Sequence, residues 1–281
     1  MVIYETKIAV LTGQVKRIVN KISTMDLPAP GPAPIFKGYF IDWPSVCEAA
    51  KYSGEGSNST EAFNTDRWMT RQREMLALAR TGKYPRPTNL PLLASICNPE
   101  FIVDLGGGSG WTSELLLKSK VASIRSYIVL EIPSVCNEFS REFSEGSKMS
   151  FFSSISEASR WMISHTDVLY SNSVLQYFQD YSTLTKLVTS LSPKYILLDD
   201  VITSTGQTFY SLQNYYGISI PYCFSSLLDI QKTCTELGYE LLLNSDYLSI
   251  FNAGMDARIE GTRDSGFEIG GSRSLLFRKV S

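Results

Sequence analysis

The sequence is poor in the residues that form metal sites and disulfide frameworks. It contains one histidine, His165, and five scattered cysteines without a CxxC pair. This cysteine usage is typical of a reducing compartment and argues against a disulfide framework or a cysteine metal site. The acidic residues and the lone histidine form no ligand cluster, so we expect no metal.

Two further absences limit the partners. The formal net charge of −2 leaves no basic excess for binding along nucleic acid. No apolar run approaches the roughly 20 residues that span a bilayer, and the N-terminus lacks the apolar segment of a signal peptide. We therefore expect a cytoplasmic protein with no nucleic-acid partner and no transmembrane segment.

Residues 1–37 are expected to precede the main fold. Residues 7–22 place apolar side chains at helical spacing among four cations. A basic amphipathic helix can lie on an anionic membrane, but four cations are few for anchoring, and we favour packing on this chain or on a second copy. Prolines alternate in the following DLPAPGPAPIF, which predicts an extended connector.

The remaining chain divides into two parts. Residues 38–97 are predicted to form a mainly helical cap, and 98–281 alternate short β-rich runs with amphipathic segments. This alternation is typical of an α/β fold with a doubly wound, mostly parallel sheet, for which we expect seven strands. The predicted strands lie near 101–105, 126–131, 149–152, 167–172, 194–200, 239–248 and 272–280. The last two follow without a long intervening helix and predict an antiparallel pair at the edge of the sheet.

The stretch FIVDLGGGSGW (101–111) carries four glycines in five positions directly after an apolar run. Bare backbone at a strand-to-helix turn lets a ligand approach closely. A P-loop is excluded because no Gly-Lys-Ser or Gly-Lys-Thr occurs. A dinucleotide site is disfavoured because Trp111 stands where GxGxxG requires its third glycine. The glycines therefore either bind a ligand of another class or form a tight turn without a ligand.

The segment D-L-G-G-G-S-G resembles the first motif of class I S-adenosylmethionine-dependent methyltransferases. The resemblance implies that Gly106, Gly108 and Gly110 pass under the methionine and ribose parts of S-adenosyl-L-methionine. It also implies that Asp104 helps to hold the cationic amino group. Glu131 ends the next strand, where a carboxylate can accept hydrogen bonds from both ribose hydroxyls.

Further cofactor contacts follow from the same resemblance. Ile132 would cover one face of adenine, and Ser153 would contact the adenine edge, where many relatives carry an aspartate instead. The complete predicted cofactor-binding set is Asp104, Gly106, Gly107, Gly108, Gly110, Glu131, Ile132, Ser153, Asn172 and Ser173.

Later motifs narrow the resemblance. Their order from FKGYFIDWPSVCEAA (36–50) to GSRSLLFRKV (271–280) is similar to a bacterial methyltransferase family encoded among surface-polysaccharide genes. The resemblance covers most of residues 36–280 and implies O-methylation of a sugar hydroxyl in a glycan or nucleotide sugar. That family commonly has a basic residue after the aspartate of its fifth strand, whereas this sequence has Asp200.

Methyl transfer often needs a base near the carboxyl ends of the strands. His165 precedes the run 167–172, which separates it from that edge by roughly 17 Å, so we interpret it as a surface or helix-end residue. A carboxylate is then the expected base, Asp200 before Asp199. Because neighbours on a strand point to opposite faces, we expect only one of the two to face the site. The alternative is that the pair ends a strand and caps the next turn. Gln176 and Tyr177 are expected to orient an acceptor hydroxyl, or else to pack in the core.

The segment 203–225 is predicted to form an aromatic lid or wall for the substrate. Six aromatic side chains lie within residues 209–224. The expected substrate contacts are Tyr210, Gln213, Asn214 and Tyr222. Since tyrosine is also frequent at subunit interfaces, a homo-oligomer is the competing interpretation.

The sequence leaves two other functions open. A small-molecule phenol or amine could be the methyl acceptor on the same fold, which would make the protein an O- or N-methyltransferase of a natural product. Alternatively, the chain could bind the cofactor without turnover and act as a scaffold or sensor.

Overall fold

The computed structural model describes residues 35–52, 59–143, 146–161, 166–215, 217–248, 259–260, 267 and 269–280. The predicted amphipathic helix at 7–22, the proline-rich arm up to residue 34, and His165 lie outside these ranges. Within them, none of the helices combines the length and the apolar character that crossing a bilayer requires.

The elements alternate between strands and helices from residue 101 to the strand at Tyr195–Ser204, as predicted, and strands predominate after it. In chain order they are β1 (Ile35–Phe40), α1 (Trp43–Tyr52), α2 (Ser59–Phe63), α3 (Asp66–Arg80), α4 (Leu90–Cys97), β2 (Phe101–Leu105), α5 (Trp111–Ser119), β3 (Ser126–Leu130), α6 (Pro133–Phe139), β4 (Met149–Phe152), α7 (Ile155–Trp161), β5 (Val168–Asn172), α8 (Ser182–Leu191), β6 (Tyr195–Ser204), β7 (Phe209–Tyr215), β8 (Ile218–Ser226), α9 (Leu227–Glu236), β9 (Tyr239–Asp246), β10 (Ile259–Glu260) and β11 (Ile269–Lys279). A 3₁₀ turn at Leu175–Tyr177 follows β5.

The sheet has the predicted doubly wound α/β arrangement. Strands β4, β3, β2, β5 and β6 lie side by side in that order, and each pair is parallel. Strand β11 pairs antiparallel with β6 and with β9, so the predicted antiparallel pair at the end of the chain is confirmed. The order in which successive strands are added to the sheet reverses between β2 and β5, and open α/β sheets bind ligands at such a point.

The sheet is larger than the seven strands we predicted. The aromatic segment forms the hairpin of β7 and β8, and β8 pairs with the protruding end of β6. Strand β1 pairs with the free edge of β7, and β10 pairs with β1. The described residues thus form an eleven-stranded sheet. Phe36, Phe209, Tyr222 and Phe224 pack together there, and aromatic residues favour pleated, half-buried positions.

The same strands correct the expected start of the helical cap. Residues 38–40 lie in β1 rather than in a helix, whereas α1 to α4 are helices within the predicted cap. Thr65 caps the start of α3, because its side-chain oxygen accepts a hydrogen bond from the N–H of Trp68. Helix α3 packs on α5 through Met75, Ala79, Trp111 and Leu115, and so lies beside the glycine turn.

Truncation of Leu198 tests the core of the sheet. Leu198 in β6 is fully buried, so Leu198→Ala should lower the free energy of unfolding by about 2–5 kcal/mol. Leu242 in β9 is 45 % exposed, so Leu242→Ala is a matched control that should change it by only about 0.5 kcal/mol. Equal losses in the two variants, measured by urea unfolding, would contradict the assigned core.

Candidate functional site

A cavity of about 630 Å³ lies at the carboxyl ends of the parallel strands. Turns after β2, β3, β4 and β5 form its floor, while α3 and β7 contribute residues to its walls. This volume falls within the range of roughly 300–1,000 Å³ that small-molecule sites occupy. The sheet therefore places one ligand-sized cavity at its expected binding edge.

The glycine turn lies against this cavity with little room for side chains. Gly106, Gly107 and Gly108 line the cavity, and Gly106 and Gly108 have φ angles of +69° and +57°. A β-carbon on Gly106 would overlap Val174, and one on Gly108 would overlap the side-chain oxygen of Gln72. The protein's own side chains therefore fill the space that these glycines leave, as the tight-turn interpretation predicts, while the backbone still faces the cavity.

Gly110 differs from the other three glycines. It precedes α5 with a φ of +74° and is not among the described residues that line the cavity. A β-carbon there would lie 2.8 Å from the sulfur of Met149, on the side of the turn that packs against β4. The structure therefore does not bring Gly110 to the predicted cofactor position.

Glu131 connects the glycine turn to the end of β3. Its carboxylate accepts hydrogen bonds from the N–H of Gly108 at 3.1 Å and from the N–H of Ile132 at 2.8 Å. Burial raises the pKa of Glu131 to about 7, although both backbone hydrogen bonds act to lower it. The carboxylate lines the cavity and keeps acceptor capacity for a ligand's hydroxyl groups.

Asp104 is a second buried carboxylate at the cavity. It is 1 % exposed, and its Oδ2 accepts a hydrogen bond from the Tyr127 hydroxyl at 2.7 Å. Burial raises the pKa of Asp104 to about 8, and the nearby Glu131 adds to this, against the effect of the Tyr127 hydrogen bond. Two carboxylates therefore face one small cavity without a positive partner among their described contacts.

The remaining predicted cofactor residues also line the cavity. They are Ile132, Ser153, Asn172 and Ser173. The amide nitrogen of Asn172 donates to the Tyr170 hydroxyl at 2.9 Å, whereas its side-chain oxygen is buried without a partner in the described chain. That oxygen is an acceptor available to a ligand.

The two predicted base residues lie elsewhere. Asp199 and Asp200 occupy an irregular part of β6, where the register with β11 shifts and Asp200 has a φ of +53°. Ser274 donates to Asp199 at 2.6 Å and Ser272 to Asp200 at 2.7 Å. Ser272 and Ser274 are two residues apart on β11 and therefore point to the same side of the sheet. Both carboxylates face that side, so our expectation of opposite faces is wrong.

Neither aspartate is among the described residues that line the cavity. Asp199 also accepts hydrogen bonds from the backbone and side-chain nitrogens of Asn89 at 2.8 and 3.1 Å. It therefore holds the start of α4 against the middle of β6. The alternative that the pair ends a strand and caps the next turn is wrong, because β6 continues to Ser204. The structure does not place the predicted base at the reaction site.

Gln176 and Tyr177 take different positions. Gln176 is buried outside the cavity lining, where its side-chain nitrogen donates to the Ser173 hydroxyl at 3.0 Å. Tyr177 lines the cavity and its hydroxyl donates to the side-chain oxygen of Gln213 at 3.2 Å. Burial, followed by the neighbouring Tyr215, raises the pKa of Tyr177 well above its ordinary value. Tyr177 therefore remains a neutral hydroxyl at physiological pH.

Two of the four predicted substrate residues line the cavity. Gln213 and Asn214 reach it from β7, so the aromatic segment forms a wall built of paired strands rather than a loop over the site. Tyr222 is fully buried against Phe36 and Phe224, and the Tyr210 hydroxyl donates to the carbonyl of Gln179 at 3.1 Å. Neither of these two tyrosines is in the described lining.

Sequence reasoning missed the cavity residues that come from the cap. They are Phe63, Trp68, Arg71, Gln72, Met75 and Arg86. Gln72 accepts a hydrogen bond from the N–H of Ser109 at 3.1 Å and so holds the glycine turn from above. No local sequence pattern singles out these residues, because they reach the cavity through tertiary contacts.

Comparison with known proteins supports the fold. The pyocyanin biosynthetic protein PhzM matches with a TM-score of 0.51 at 12 % identity, over 85 % of this chain and 68 % of that chain. The magnesium protoporphyrin IX methyltransferase ChlM from Synechocystis, with bound S-adenosylhomocysteine, matches with a TM-score of 0.43 at 13 % identity, over 84 % and 99 % of the two chains. The CcbJ methyltransferase from Streptomyces caelestis gives 0.41 at 11 % identity, over 70 % and 91 %.

Similarity at this level of identity concerns architecture alone. The chain has a Rossmann-like methyltransferase fold. No protein-family model matches the sequence, and no curated protein matches it significantly. The resemblance to the polysaccharide-associated family therefore stays a prediction.

The buried Asp104 makes stability depend on pH. Because its pKa is about 8 in the folded protein and 3.8 in its ordinary state, the folded protein binds more protons between these values. The free energy of unfolding of the ligand-free protein should therefore fall as pH rises from about 5 to 8, and Asp104 should contribute up to roughly 4 kcal/mol of this fall. Glu131, whose pKa is raised to about 7, adds to the fall in the same range. Thermal unfolding across this range measures the effect. Asp104→Asn should reduce the slope and leave the part that is due to Glu131, and an unchanged slope in that variant would contradict the assignment.

Proposed function

We propose that the protein is an S-adenosylmethionine-dependent methyltransferase that methylates a hydroxyl group of a sugar in a glycan or nucleotide sugar. The observation that carries the proposal is the pair of carboxylates, Asp104 and Glu131, beside the glycine turn at one cavity. The fold supports it, because the large sheet with its helices is similar to the fold of Rossmann-like methyltransferases.

The residues present fit this cofactor. The Asp104 carboxylate packs against Gly107, where a β-carbon would lie only 2.6 Å from it. Asp104 also lines the cavity, so a cationic group can approach it from there. Glu131 can accept hydrogen bonds from a pair of ribose hydroxyls, and Ile132 offers an apolar surface to a base. Raised pKa values at both carboxylates also suit a positively charged ligand, which favours their ionised forms.

When bound, S-adenosyl-L-methionine supplies an electrophilic methyl group on a sulfonium. The protein's part is then to align an acceptor hydroxyl and to exclude water, which can account for much of a transfer reaction's rate. Tyr177 can hold the acceptor by a hydrogen bond to its neutral hydroxyl. The free side-chain oxygen of Asn172 can accept a hydrogen bond from the acceptor's hydroxyl group. We therefore favour catalysis by positioning over catalysis by Asp199 or Asp200.

The aromatic and amide side chains that line the cavity favour a sugar as the acceptor. Phe63, Trp68, Tyr177 and Tyr215 present aromatic surfaces, and Gln213 presents an amide. Aromatic faces pack on the C–H groups of sugars, while amides and phenols bind hydroxyl groups. A phenol or amine from a small natural product would use the aromatic faces and less of the amide.

An acceptor panel tests the proposal directly. Purified protein and S-adenosyl-L-methionine are incubated with nucleotide sugars, oligosaccharides, phenols and amines, and release of S-adenosylhomocysteine is measured. Turnover with sugars supports the proposal, and turnover restricted to phenols or amines supports the natural-product alternative. Tight cofactor binding without turnover on any acceptor would indicate a scaffold.

Gly108→Val should abolish cofactor binding. The substitution adds a side chain at a φ of +57°, in the space of the Gln72 side chain and facing the cavity. We expect the affinity for S-adenosylhomocysteine to fall by at least about a hundredfold in calorimetry. Gly82→Val is the control, because Gly82 has a φ of +80° but nothing within 4 Å of its would-be β-carbon. Unchanged affinity in Gly108→Val would mean that the turn does not hold the ligand.

Tyr177→Phe tests the positioning role. Loss of the hydroxyl removes one hydrogen bond near the acceptor, so kcat/KM should fall by about tenfold, while the affinity for S-adenosylhomocysteine stays the same. Tyr210→Phe is a matched control whose hydroxyl contacts the Gln179 carbonyl instead. Equal activity of Tyr177→Phe and wild type would remove Tyr177 from the acceptor site.

A further inference from the structure

Arg86 lines the cavity with a guanidinium that the described chain leaves unpaired. Its Nε is buried and has no hydrogen-bond partner in those residues. The side chain forms no hydrogen bond and no ion pair within 4 Å there. Buried charged donors without partners are costly, so such a group needs an explanation.

The backbone around Arg86 is firmly held. Pro85 and Pro87 flank it, and proline restricts both its own φ and the residue before it. The Pro87 carbonyl accepts hydrogen bonds from the Tyr247 hydroxyl and from the Asn172 side-chain nitrogen. The guanidinium is thus attached to a rigid segment that is tied to the floor of the cavity.

Asp200 explains the charge of Arg86 but does not use its donors. Burial lowers the pKa of the guanidinium, yet Asp200 and neighbouring tyrosines outweigh this, and the pKa lies above its ordinary value. The Asp200 carboxylate accepts its own hydrogen bond from Ser272 and forms no ion pair with Arg86. Arg86 therefore remains a cation with free donors toward the cavity.

The surroundings place these donors at the acceptor end of the cavity. Tyr177 and Tyr215 both act electrostatically on Arg86, and both line the same wall. The carbonyl of the next residue, Pro87, accepts a hydrogen bond from Asn172, whose free side-chain oxygen we assign to the acceptor. A ligand group that meets Arg86 would therefore belong to the acceptor.

We propose that Arg86 binds a carboxylate carried by the methyl acceptor, so that the substrate is an acidic sugar. A carboxylate matches the planar donor pattern of a guanidinium with two parallel hydrogen bonds. Because Asp200 already balances the charge of Arg86, a singly charged carboxylate leaves one net negative charge in this group, whereas a dianionic phosphate would leave two. This inference rests on the proposed function, because it assumes a methyl acceptor in this cavity.

Binding of matched sugars tests the inference. The protein is first saturated with S-adenosylhomocysteine, and binding of D-glucuronate, D-glucose and D-glucose 6-phosphate is then measured by ligand-observed NMR. We expect D-glucuronate to bind about tenfold or more tightly than D-glucose. Equal binding of the two, absence of binding by both, or a preference for D-glucose 6-phosphate would overturn the assignment.

Substitutions show whether Arg86 carries the discrimination. Arg86→Gln should reduce the preference for D-glucuronate to near unity, and Arg73→Gln, at an exposed ion pair with Glu138, should leave it intact. Loss of the preference in Arg71→Gln but not in Arg86→Gln would assign the anion to the other lining arginine and would overturn the inference.

A second variant tests whether Arg86 only balances the charge of Asp200. Arg86→Gln leaves the Asp200 charge without its cation, so the double variant Arg86→Gln/Asp200→Asn removes both charges and guards against misfolding. The double variant should unfold at a temperature near that of wild type and still lack the preference for D-glucuronate. If it keeps the preference, Arg86 only balances Asp200. Calorimetry with S-adenosylhomocysteine alone tests the proposed function separately, because Arg86 lies away from the cofactor end.

Discussion

The hydrogen bond from the Gly108 N–H to the Glu131 carboxylate joins the two parts of the candidate site on which the proposals depend. It fixes the turn after β2 against the end of β3 and brings a buried acid to the cavity. Gln72 holds the same turn from the side of α3, through the N–H of Ser109. The cap and the sheet therefore both hold this turn. A change in the position of α3 would be transmitted directly to the glycine backbone.

The charges of the cavity are divided between its two ends. Asp104 and Glu131 form an acidic region near the glycines, and both have raised pKa values because burial disfavours their charged forms. Arg86 lines the cavity near Tyr177 and Tyr215, both of which act electrostatically on it. This division suits a cationic donor at one end and an anionic acceptor at the other, since each charge then meets its opposite within a confined volume.

Much of the architecture could be predicted from the sequence, because the parallel strands read as short apolar runs separated by helices. The wall formed by β7 and β8 could not, since pairing with β1 and with the end of β6 depends on distant segments. The placement of Asp199 and Asp200 failed for a local reason. A bulge opposite Ser274 breaks the alternation on which the expectation was built. Arg86 was missed because its environment comes from tertiary contacts that no local pattern reveals.

A crystal structure of the protein grown with S-adenosylhomocysteine tests the central claim most directly. The account predicts the ribose hydroxyls at the Glu131 carboxylate, the amino group at Asp104, and the glycine backbone of residues 106–108 beneath the ligand. Density for the ligand at another site, or a pyrophosphate-containing molecule in this cavity, would contradict it.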